Sequence, residues 1–355
     1  MKRFINYGSI PQFRQVIKDI SYQAWYTGSD EDGNPIYDNS LTLPIITATG
    51  YEKIHGTNAS VCYNSETEFY VQSRKNIITV DKDNAACAFH AMQNQEHWMK
   101  IINSLAKFHS VNLDTHIISI FFEWSGGNIQ KLSAVTGLDK RAFIFPYFKV
   151  SPLVQDEEDP ETAIWLSTKS EHNLNANIYN ITCYSKFPIT INFNTPLLSQ
   201  NTMIKTIEED IEPNSPIGDY FGIQGNVGEG IVYFFEYQDI IYRFKVKGEK
   251  HSVSKVKTLK PVDDIKEQSK IDFANYVCTP NRLEQAWQTI FGLNHELLEP
   301  DIKATGNFLR AVINDVYKEE SDILASKNLE PKDVNSTISK LARQWFMQEL
   351  DNHEL

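Results

Sequence analysis

A lysine beside a histidine–glycine turn constrains this chain more than any other feature. Residues 51–58 read Tyr-Glu-Lys-Ile-His-Gly-Thr-Asn and directly follow a short apolar strand pattern around residues 44–46. A lysine amine is a poor nucleophile at neutral pH, because its ordinary pKa is about 10.4. It becomes a good one when burial or neighbouring cations lower that pKa. A reactive Lys53 therefore requires a fold that brings distant groups to it.

Composition and cysteine spacing favour a protein of the reducing cytoplasm. Of the 355 residues, 41% are hydrophobic and 23% are charged, as is typical of soluble globular proteins. No apolar run approaches the roughly 20 residues that span a bilayer, and the N-terminus lacks the apolar core of a signal peptide. The four cysteines lie far apart without a C-x-x-C pair, which argues against zinc and against a disulfide framework.

Charge is segregated along the chain, although the net charge of −12 is acidic. Phosphate binding needs a local basic strip and not a basic protein. Such a strip lies within 243–260, and its part from 250 to 260 is predicted to contact nucleic-acid phosphates or to form a solvated linker. Acidic runs at 156–159 and 208–210 are interpreted as solvated loops. The strip contains Arg243, Lys245, Lys247, Lys250, Lys255, Lys257 and Lys260.

Two regions of different character follow one another along the chain. The first is rich in short β-branched and aromatic runs, with helical stretches near 11–24 and 84–108. This pattern predicts an α+β domain built on antiparallel sheets, over residues 1–260. From residue 261 onward apolar residues recur at helical spacing, which predicts a separate all-helical domain of three or four helices over 261–355.

Charged and aromatic residues recur beside strand patterns in a fixed order after Lys53. An arginine ends one strand pattern, a glutamate precedes a glycine turn, and an aromatic run follows. Later, a glutamate stands between two glycines, and two lysines share one face of a strand because strand side chains alternate. In chain order these residues are Arg74, Glu123, Phe145, Glu229, Lys245 and Lys247.

In this order and register the motifs resemble those of the covalent nucleotidyltransferases, and most closely the bacteriophage RNA ligase 2 family. Residues 52–58 match the first motif of that family almost letter for letter, and 129–131 resemble another of its signatures. The resemblance covers roughly residues 40–260 and, more weakly, the helical tail around 275–282. It implies a nucleotidyltransferase domain, an ATP-grasp-like ligase fold of antiparallel sheets with flanking helices, followed by a small all-α C-terminal domain.

The resemblance implies a role in the chemistry for four of the matched residues. Lys53 would attack the α-phosphate of ATP to form lysyl-AMP. Lys245 and Lys247 would grip that phosphate, and their charges would lower the pKa of Lys53. Glu229 would hold a divalent metal, Mg²⁺ or Mn²⁺, close to the phosphates.

The same resemblance places the rest of the nucleotide. Arg74 and Glu123 would fix its ribose and phosphate side, and Phe145 would stack on adenine. Backbone groups of Glu52 and Ile54 would read the edge of the base. Two polar residues near the lysine are expected to take part in catalysis at a step that spacing does not define: His55 and Asn58.

The implied reaction is ATP-dependent RNA ligation in three phosphoryl transfers. AMP would pass from ATP to Lys53 and then to an RNA 5′-phosphate, after which a 3′-hydroxyl would seal the strand and release AMP. The expected substrate is a nick in duplex RNA or RNA–DNA hybrid. The expected protein is a monomer with no membrane partner, in the cytoplasm of the host if the chain is phage-encoded. Alternatives are a ligase of single-stranded or tRNA-like breaks, an mRNA-capping guanylyltransferase, or a nucleic-acid-binding module with a degenerate nucleotide pocket.

Simpler interpretations of the same residues stay open. By itself Lys53 is typical of a surface lysine, His55 of a structural histidine and Phe145 of a core residue. The glutamates can serve glycine turns alone, and the two later lysines can decorate an edge strand. The chain also departs from the family at Pro146, where an acidic residue is usual, and residues 150–225 match no family motif.

Overall fold

The computed structural model describes residues 2–38, 41–131, 133–154, 163–194, 196–223, 227–248, 265–292 and 299–353. The chain divides into two compact units, Met1–Gly248 and Glu249–Leu355. The predicted boundary at residues 260 and 261 lies outside the described residues, as do the basic residues from 250 to 260 and the acidic run at 156–159. Among the described residues, no helix has the length and apolarity that a bilayer crossing requires.

Fourteen strands and five α-helices make up the described part of the first unit. Its strands are β1 Tyr26–Ser29, β2 Pro35–Tyr37, β3 Ile45–Glu52, β4 Thr57–Tyr63, β5 Tyr70–Ser73, β6 Ile77–Ile78, β7 His116–Ser125, β8 Arg141–Ile144, β9 Tyr147–Pro152, β10 Ile164–Ser167, β11 Ile178–Asn180, β12 Lys186–Asn192, β13 Gly230–Tyr237 and β14 Ile240–Lys247. Its helices are α1 Phe13–Trp25, α2 Cys87–Gln93, α3 Gln95–Phe108, α4 Pro196–Asp210 and α5 Pro216–Tyr220. The helical stretches predicted near 11–24 and 84–108 are confirmed, the second as two consecutive helices.

Two sheets carry most of these strands. One has four antiparallel strands in the order β12-β3-β13-β14. The other has eight strands, with a path β10-β9-β7-β4-β5-β6 and with β8 and β11 attached beside β7. The prediction of antiparallel sheets is wrong for β8 and β11, which pair in parallel. A parallel pair needs a long crossover connection, and the chain through β9 and β10 provides it.

Helices cover the outer faces of both sheets, so the inner faces are left for the site. Phe13 of α1 and Ile207 of α4 pack on Phe244 of the four-stranded sheet. Trp98 of α3 stacks on Phe122 of the eight-stranded sheet, with ring centroids 5.1 Å apart. Each such buried side chain contributes roughly 1.5–3 kcal/mol of transfer free energy. Because side chains alternate along a strand, the neighbours of Phe122 on β7 project from the opposite, inner face.

The prediction that residues 208–210 form a solvated loop is wrong in the type of element. Residues 208–210 form the last turn of α4 and not a loop, although all three are exposed as predicted. The helix extends through them because Met203 and Ile207 bury its apolar side against the sheet. Its polar side is left to solvent, which suits a run of acidic residues.

The described residues of the second unit hold four α-helices around a core of their own. These are α6 Ile265–Val277, α7 Pro280–Phe291, α8 Thr305–Ser326 and α9 Pro331–His353. Trp287, which is 2% exposed, packs against Phe346 and so belongs to this core. The buried guanidinium of Arg282 donates to Asp315 at 2.8 Å and to Glu320 at 3.2 Å. An independent all-α domain stays a prediction.

Candidate active site

The turn that carries Lys53 is held by both sheets. The backbone N–H of Lys53 donates to the carbonyl of Gly230 at 2.8 Å, which continues the pairing of β3 with β13. On the other side, Ser125 Oγ at the end of β7 donates to the carbonyl of His55 at 2.7 Å. Gly56 permits this close approach, because a Cβ there would lie 2.4 Å from the carbonyl oxygen of Trp124.

Glu229 is the charged centre of the site. It directly precedes β13, and it is only 2% exposed. Its Oε2 accepts a hydrogen bond from Lys53 Nζ at 2.7 Å and lies 3.1 Å from His55 Nδ1, while its Oε1 lies 2.9 Å from Lys247 Nζ. Burial raises the pKa of Glu229, but the charges of Lys247 and Lys53 outweigh burial and hold that pKa well below its usual range. Glu229 is therefore an ionised carboxylate that joins three basic side chains.

The electrostatic prediction for Lys53 is wrong in its sign. Burial lowers the pKa of this amine, yet the carboxyl groups of Glu229 and Glu123 outweigh burial, and the pKa is raised overall. The charge of Arg74 acts to lower this pKa but does not reverse the rise. Lys247 Nζ lies 2.9 Å from Oε1 of the same carboxylate that binds Lys53. In this structure Lys53 is an ammonium ion, so it must lose a proton before it can attack.

Glu123 lies on the inner face of β7, opposite Asn58 of β4 in the strand register. The pKa of Glu123 is raised to about 7, chiefly by burial. The charge of Glu229 also raises this pKa, whereas those of Lys53 and Arg74 lower it. Arg74 itself is exposed and follows the end of β5. These interactions place Glu123 and Arg74 within the electrostatic surroundings of Lys53. A carboxyl group that titrates near neutral pH inside a cluster of charges is typical of functional sites.

The remaining predicted residues have mixed surroundings. Lys245 and Lys247 lie opposite Val232 and Gly230, so they share a face of β14, which is the last strand in the pairing order of its sheet. The ion pair of Lys247 with Glu229 makes it more than an edge-strand decoration. Phe145 and Ile54 both have contacts in the core. The ring centroid of Phe145 lies 5.1 Å from that of Tyr7, and Ile54 packs beside Phe143. The roles of both residues toward adenine stay predictions.

The side chain of Glu52 has a positioning role that the sequence did not reveal. This carboxyl group is 6% exposed, and it accepts hydrogen bonds from Ser215 Oγ and from the backbone N–H of Ile217, the latter at 2.9 Å. It thereby ties the residue before the reactive lysine to the start of α5. A serine followed by proline is a typical helix start, and this signal at Ser215 could have located α5 but not its partner.

Glu52 is expected to make folding stability depend on pH. Burial raises its pKa from the ordinary 4.5 to about 7, although Ser215 and Ile217 lower it. The folded protein then holds this proton more tightly than the unfolded chain, so the stabilising contribution is complete below about pH 4.5 and lost as pH rises through 7. Between these two pH values the wild-type free energy of unfolding should fall by about 3 kcal/mol because of Glu52, and we expect Glu52→Gln to abolish this fall. Urea unfolding at pH 5 and pH 8 measures it, with exposed Glu209→Gln as control; equal pH dependence in wild type and Glu52→Gln would contradict this role.

The donor set around Glu229 fits one way of binding a divalent metal. Among the described residues, no group of three or more histidines, cysteines or carboxylates is arranged to hold a metal ion. Mg²⁺, however, is commonly bound through one or two carboxylates together with water and substrate phosphates. Glu229 meets that requirement once phosphates are present, and Glu123 lies close enough to interact electrostatically with it. Metal binding by Glu229 stays a prediction.

A comparison with protein families decides the class of this site. Residues 48–247 match the model of a family described as RNA ligase, and this match covers more than half of the chain. The chain belongs to the RNA ligase family. The matched span runs from β3 to the end of β14, and it contains all eleven candidate residues from Glu52 to Lys247. The RNA ligase 2 subfamily of bacteriophages stays a prediction, and no curated protein matches the chain.

Solved structures of one other RNA ligase are distantly similar to this RNA ligase family member. One is the Naegleria gruberi RNA ligase with PPi, at 13% identity and a TM-score of 0.41, over 71% of this chain. A mutant of the same ligase with ATP and Mn gives the same values. This chain spans 58% of the length of the Naegleria chain.

Proposed function

We propose that the protein is an ATP-dependent RNA ligase that carries AMP on Lys53. The observation that supports this most strongly is the Glu229 centre, which joins Lys53, His55 and Lys247 within 3.1 Å in a member of the RNA ligase family. A binding module with a degenerate pocket would have no need to retain a buried carboxylate with three basic partners.

The first step forms a covalent bond to the protein. Lys53 Nζ loses a proton, and its lone pair forms a bond to the α-phosphorus of ATP as the bond to the bridging oxygen breaks and pyrophosphate leaves. Lys247 is held by Glu229 beside the attacking amine, where its charge can stabilise the phosphate oxygens. The arrangement provides positioning and charge stabilisation, which are the main sources of catalysis in phosphoryl transfer.

The next two steps return the lysine to its starting state. An oxygen of an RNA 5′-phosphate attacks the lysyl-AMP phosphorus, the P–N bond breaks, and Lys53 leaves and regains its protons from solvent to become the ammonium ion again. The 3′-hydroxyl of the other RNA end then attacks the 5′-phosphorus, forms the phosphodiester and releases AMP. A divalent ion at Glu229 would neutralise phosphate charge during these transfers. Mg²⁺ or Mn²⁺ is proposed, and the Naegleria ligase was solved with ATP and Mn.

One labelling experiment tests this function against its alternatives. The protein is incubated with magnesium and either α-labelled ATP or α-labelled GTP, and it is then denatured. We expect label to be retained from ATP only, because a phosphoramidate survives denaturation whereas a bound nucleotide does not. Retention from GTP would indicate a capping enzyme, and retention from neither would indicate a binding module.

The proposed substrate is a nick in duplex RNA or RNA–DNA hybrid, a choice supported by the resemblance of residues 52–58 to the RNA ligase 2 motif. Sealing of a nicked duplex should be compared with sealing of single-stranded RNA of the same sequence. Faster joining of the duplex nick is the expected result. Faster joining of the single strand would assign the enzyme to single-stranded or tRNA-like breaks.

A further inference from the structure

The N-terminal segment connects the inner face of the eight-stranded sheet to the edge strand β14 of the four-stranded sheet. Gln72 of β5 exchanges two hydrogen bonds with the backbone of Ile5, at 2.7 and 3.1 Å. Further along, the carbonyl of Pro11 accepts from the backbone N–H of Lys245 of β14 at 3.0 Å. The segment is therefore anchored at both ends, once to each sheet. Its position places Tyr7 against Phe121, the inner-face neighbour of Glu123 on β7, with ring centroids 4.9 Å apart.

Three basic and two aromatic side chains meet at this segment. The guanidinium carbon of Arg243 lies 4.1 Å from the ring centroid of Tyr7 and 4.4 Å from that of Trp165. Lys149 Nζ lies 5.6 Å from the Trp165 ring, and Arg3 is close enough to lower the pKa of Lys149. We call these five residues, Arg3, Tyr7, Lys149, Trp165 and Arg243, the cationic–aromatic cluster.

The cations of this cluster have hydrogen-bond partners, but among the described residues none of them forms an ion pair with a carboxylate. Arg3 donates to the carbonyl of Pro152 at 2.7 Å, Lys149 to that of Asn6 at 3.4 Å, and Arg243 to that of Tyr7. Burial lowers the pKa of Lys149, and the charges of Arg243 and Arg3 lower it further. Lys53 and Lys247, in contrast, share the carboxylate of Glu229. Clustered, half-buried positive charges without a carboxylate are suited to an anionic ligand.

The cluster is connected to the candidate active site through Tyr7 and β14. Burial raises the pKa of Tyr7 to about 12, and its hydroxyl is close enough to both Arg243 and Glu123 for their charges to act on that pKa. Arg243 shares a face of β14 with Lys245 and Lys247, since the three alternate along one strand. A rise of about 3.4 Å per residue puts Arg243 roughly 14 Å along the strand from Lys247.

We propose that the cationic–aromatic cluster binds a phosphate group of the RNA strand, a few nucleotides from the end that reacts at Lys53. This inference rests on the proposed function. Successive phosphates of a duplex strand lie only a few ångströms apart along the axis, about 3.4 Å in DNA, so a later phosphate reaches the distance of Arg243. The Trp165 ring beside the cations is also suited to stacking on a base. The triphosphate tail of ATP has the same chemistry and is the second source that a test must separate.

Salt dependence of RNA binding tests the cluster directly. We expect Lys149→Gln to weaken binding of a nicked RNA duplex and to reduce the slope of log K against log salt by about 1, since one phosphate contact is lost. Lys149→Arg should keep the slope, because it keeps the charge. Lys100→Gln on α3 is the matched control; Lys100 lies on the outer side of the same sheet and is 64% exposed. Lys149 is preferred to Arg243, whose packing between two rings makes its removal a risk to folding.

A second measurement separates the two phosphate sources. The concentration of ATP that gives half-maximal adduct formation is determined for wild type and for Lys149→Gln. An unchanged ATP value with a reduced RNA slope assigns the cluster to RNA, whereas the reverse assigns it to the ATP tail. If neither quantity changes, the cluster does not bind phosphate. If wild type forms no adduct, the proposed function fails while the RNA slope still tests the cluster; a wild type that binds neither RNA nor ATP overturns both.

Discussion

Replacing Lys53 with alanine is expected to abolish the covalent adduct formed from labelled ATP. The attack requires a nitrogen lone pair at this position, where Lys53 Nζ lies 2.7 Å from Glu229 Oε2. Lys53→Arg should abolish the adduct as well, because a guanidinium stays protonated. Unlike alanine, arginine preserves the charge beside Glu229, so it separates loss of the nucleophile from loss of the ion pair.

A solvent-exposed lysine provides the control for the Lys53 variants. Lys205→Ala removes a lysine that is 71% exposed, on α4 at the outer side of the four-stranded sheet, and should leave the adduct unchanged. Retained label is measured after denaturation, and thermal unfolding of each variant confirms that it is folded. An adduct that survives in both Lys53 variants at wild-type levels would show that another residue carries the AMP.

Glu229→Gln is expected to lower both the free energy of unfolding and the rate of adduct formation. The carboxylate is 2% exposed and neutralises Lys53 and Lys247, so the amide would leave two ammonium groups close together without a counter-charge. Removing one partner of a buried ion pair typically costs about 3–5 kcal/mol. Adduct formation should fall at least 100-fold, about 2.7 kcal/mol in the activation free energy, because the position of Lys53 and the proposed metal ligand are lost together.

Urea unfolding at pH 7 measures the stability change, and adduct formation below the unfolding transition measures the activity. Glu236→Gln, at an exposed position near the end of β13, is the matched control and should change the free energy of unfolding by less than about 0.5 kcal/mol. Because the pKa of Glu229 is depressed, its contribution is present at neutral pH and lost as pH falls toward the folded-state pKa. The free energies of unfolding of Glu229→Gln and Glu236→Gln should therefore converge at low pH. A difference between them that stays constant with pH would contradict this role of Glu229.

Local patterns in the sequence predicted strand positions around Glu229 better than they predicted contacts between distant strands. Strand alternation placed Lys245 and Lys247 on one face, and the glycines beside Glu229 marked the start of β13, both of which are local patterns. That Lys247 and Lys53 would bind the same carboxylate depends on the pairing of β3, β13 and β14, which are far apart in the chain. The sign of the pKa change at Lys53 followed from this pairing and could not be read from neighbouring residues.

Two long-range contacts explain why other features were missed. Glu52 reaches Ser215 across more than 160 positions, into a stretch with no recognised motif. Tyr7 meets Arg243 only because the N-terminal segment connects the two sheets, and a single arginine in a basic strip gives no sign of an aromatic partner. The same limitation applies to β8 and β11, since short apolar strands do not encode whether they pair in parallel or antiparallel.

The position of the adduct shows whether Lys53 carries AMP. Wild-type protein is incubated with ATP and magnesium, digested under conditions that preserve the phosphoramidate, and examined by peptide mass spectrometry. We predict a single AMP-bearing peptide, with fragment ions that place AMP on Lys53. AMP on any other residue, or its absence from peptides that contain Lys53 when label is retained by the protein, would contradict the claim.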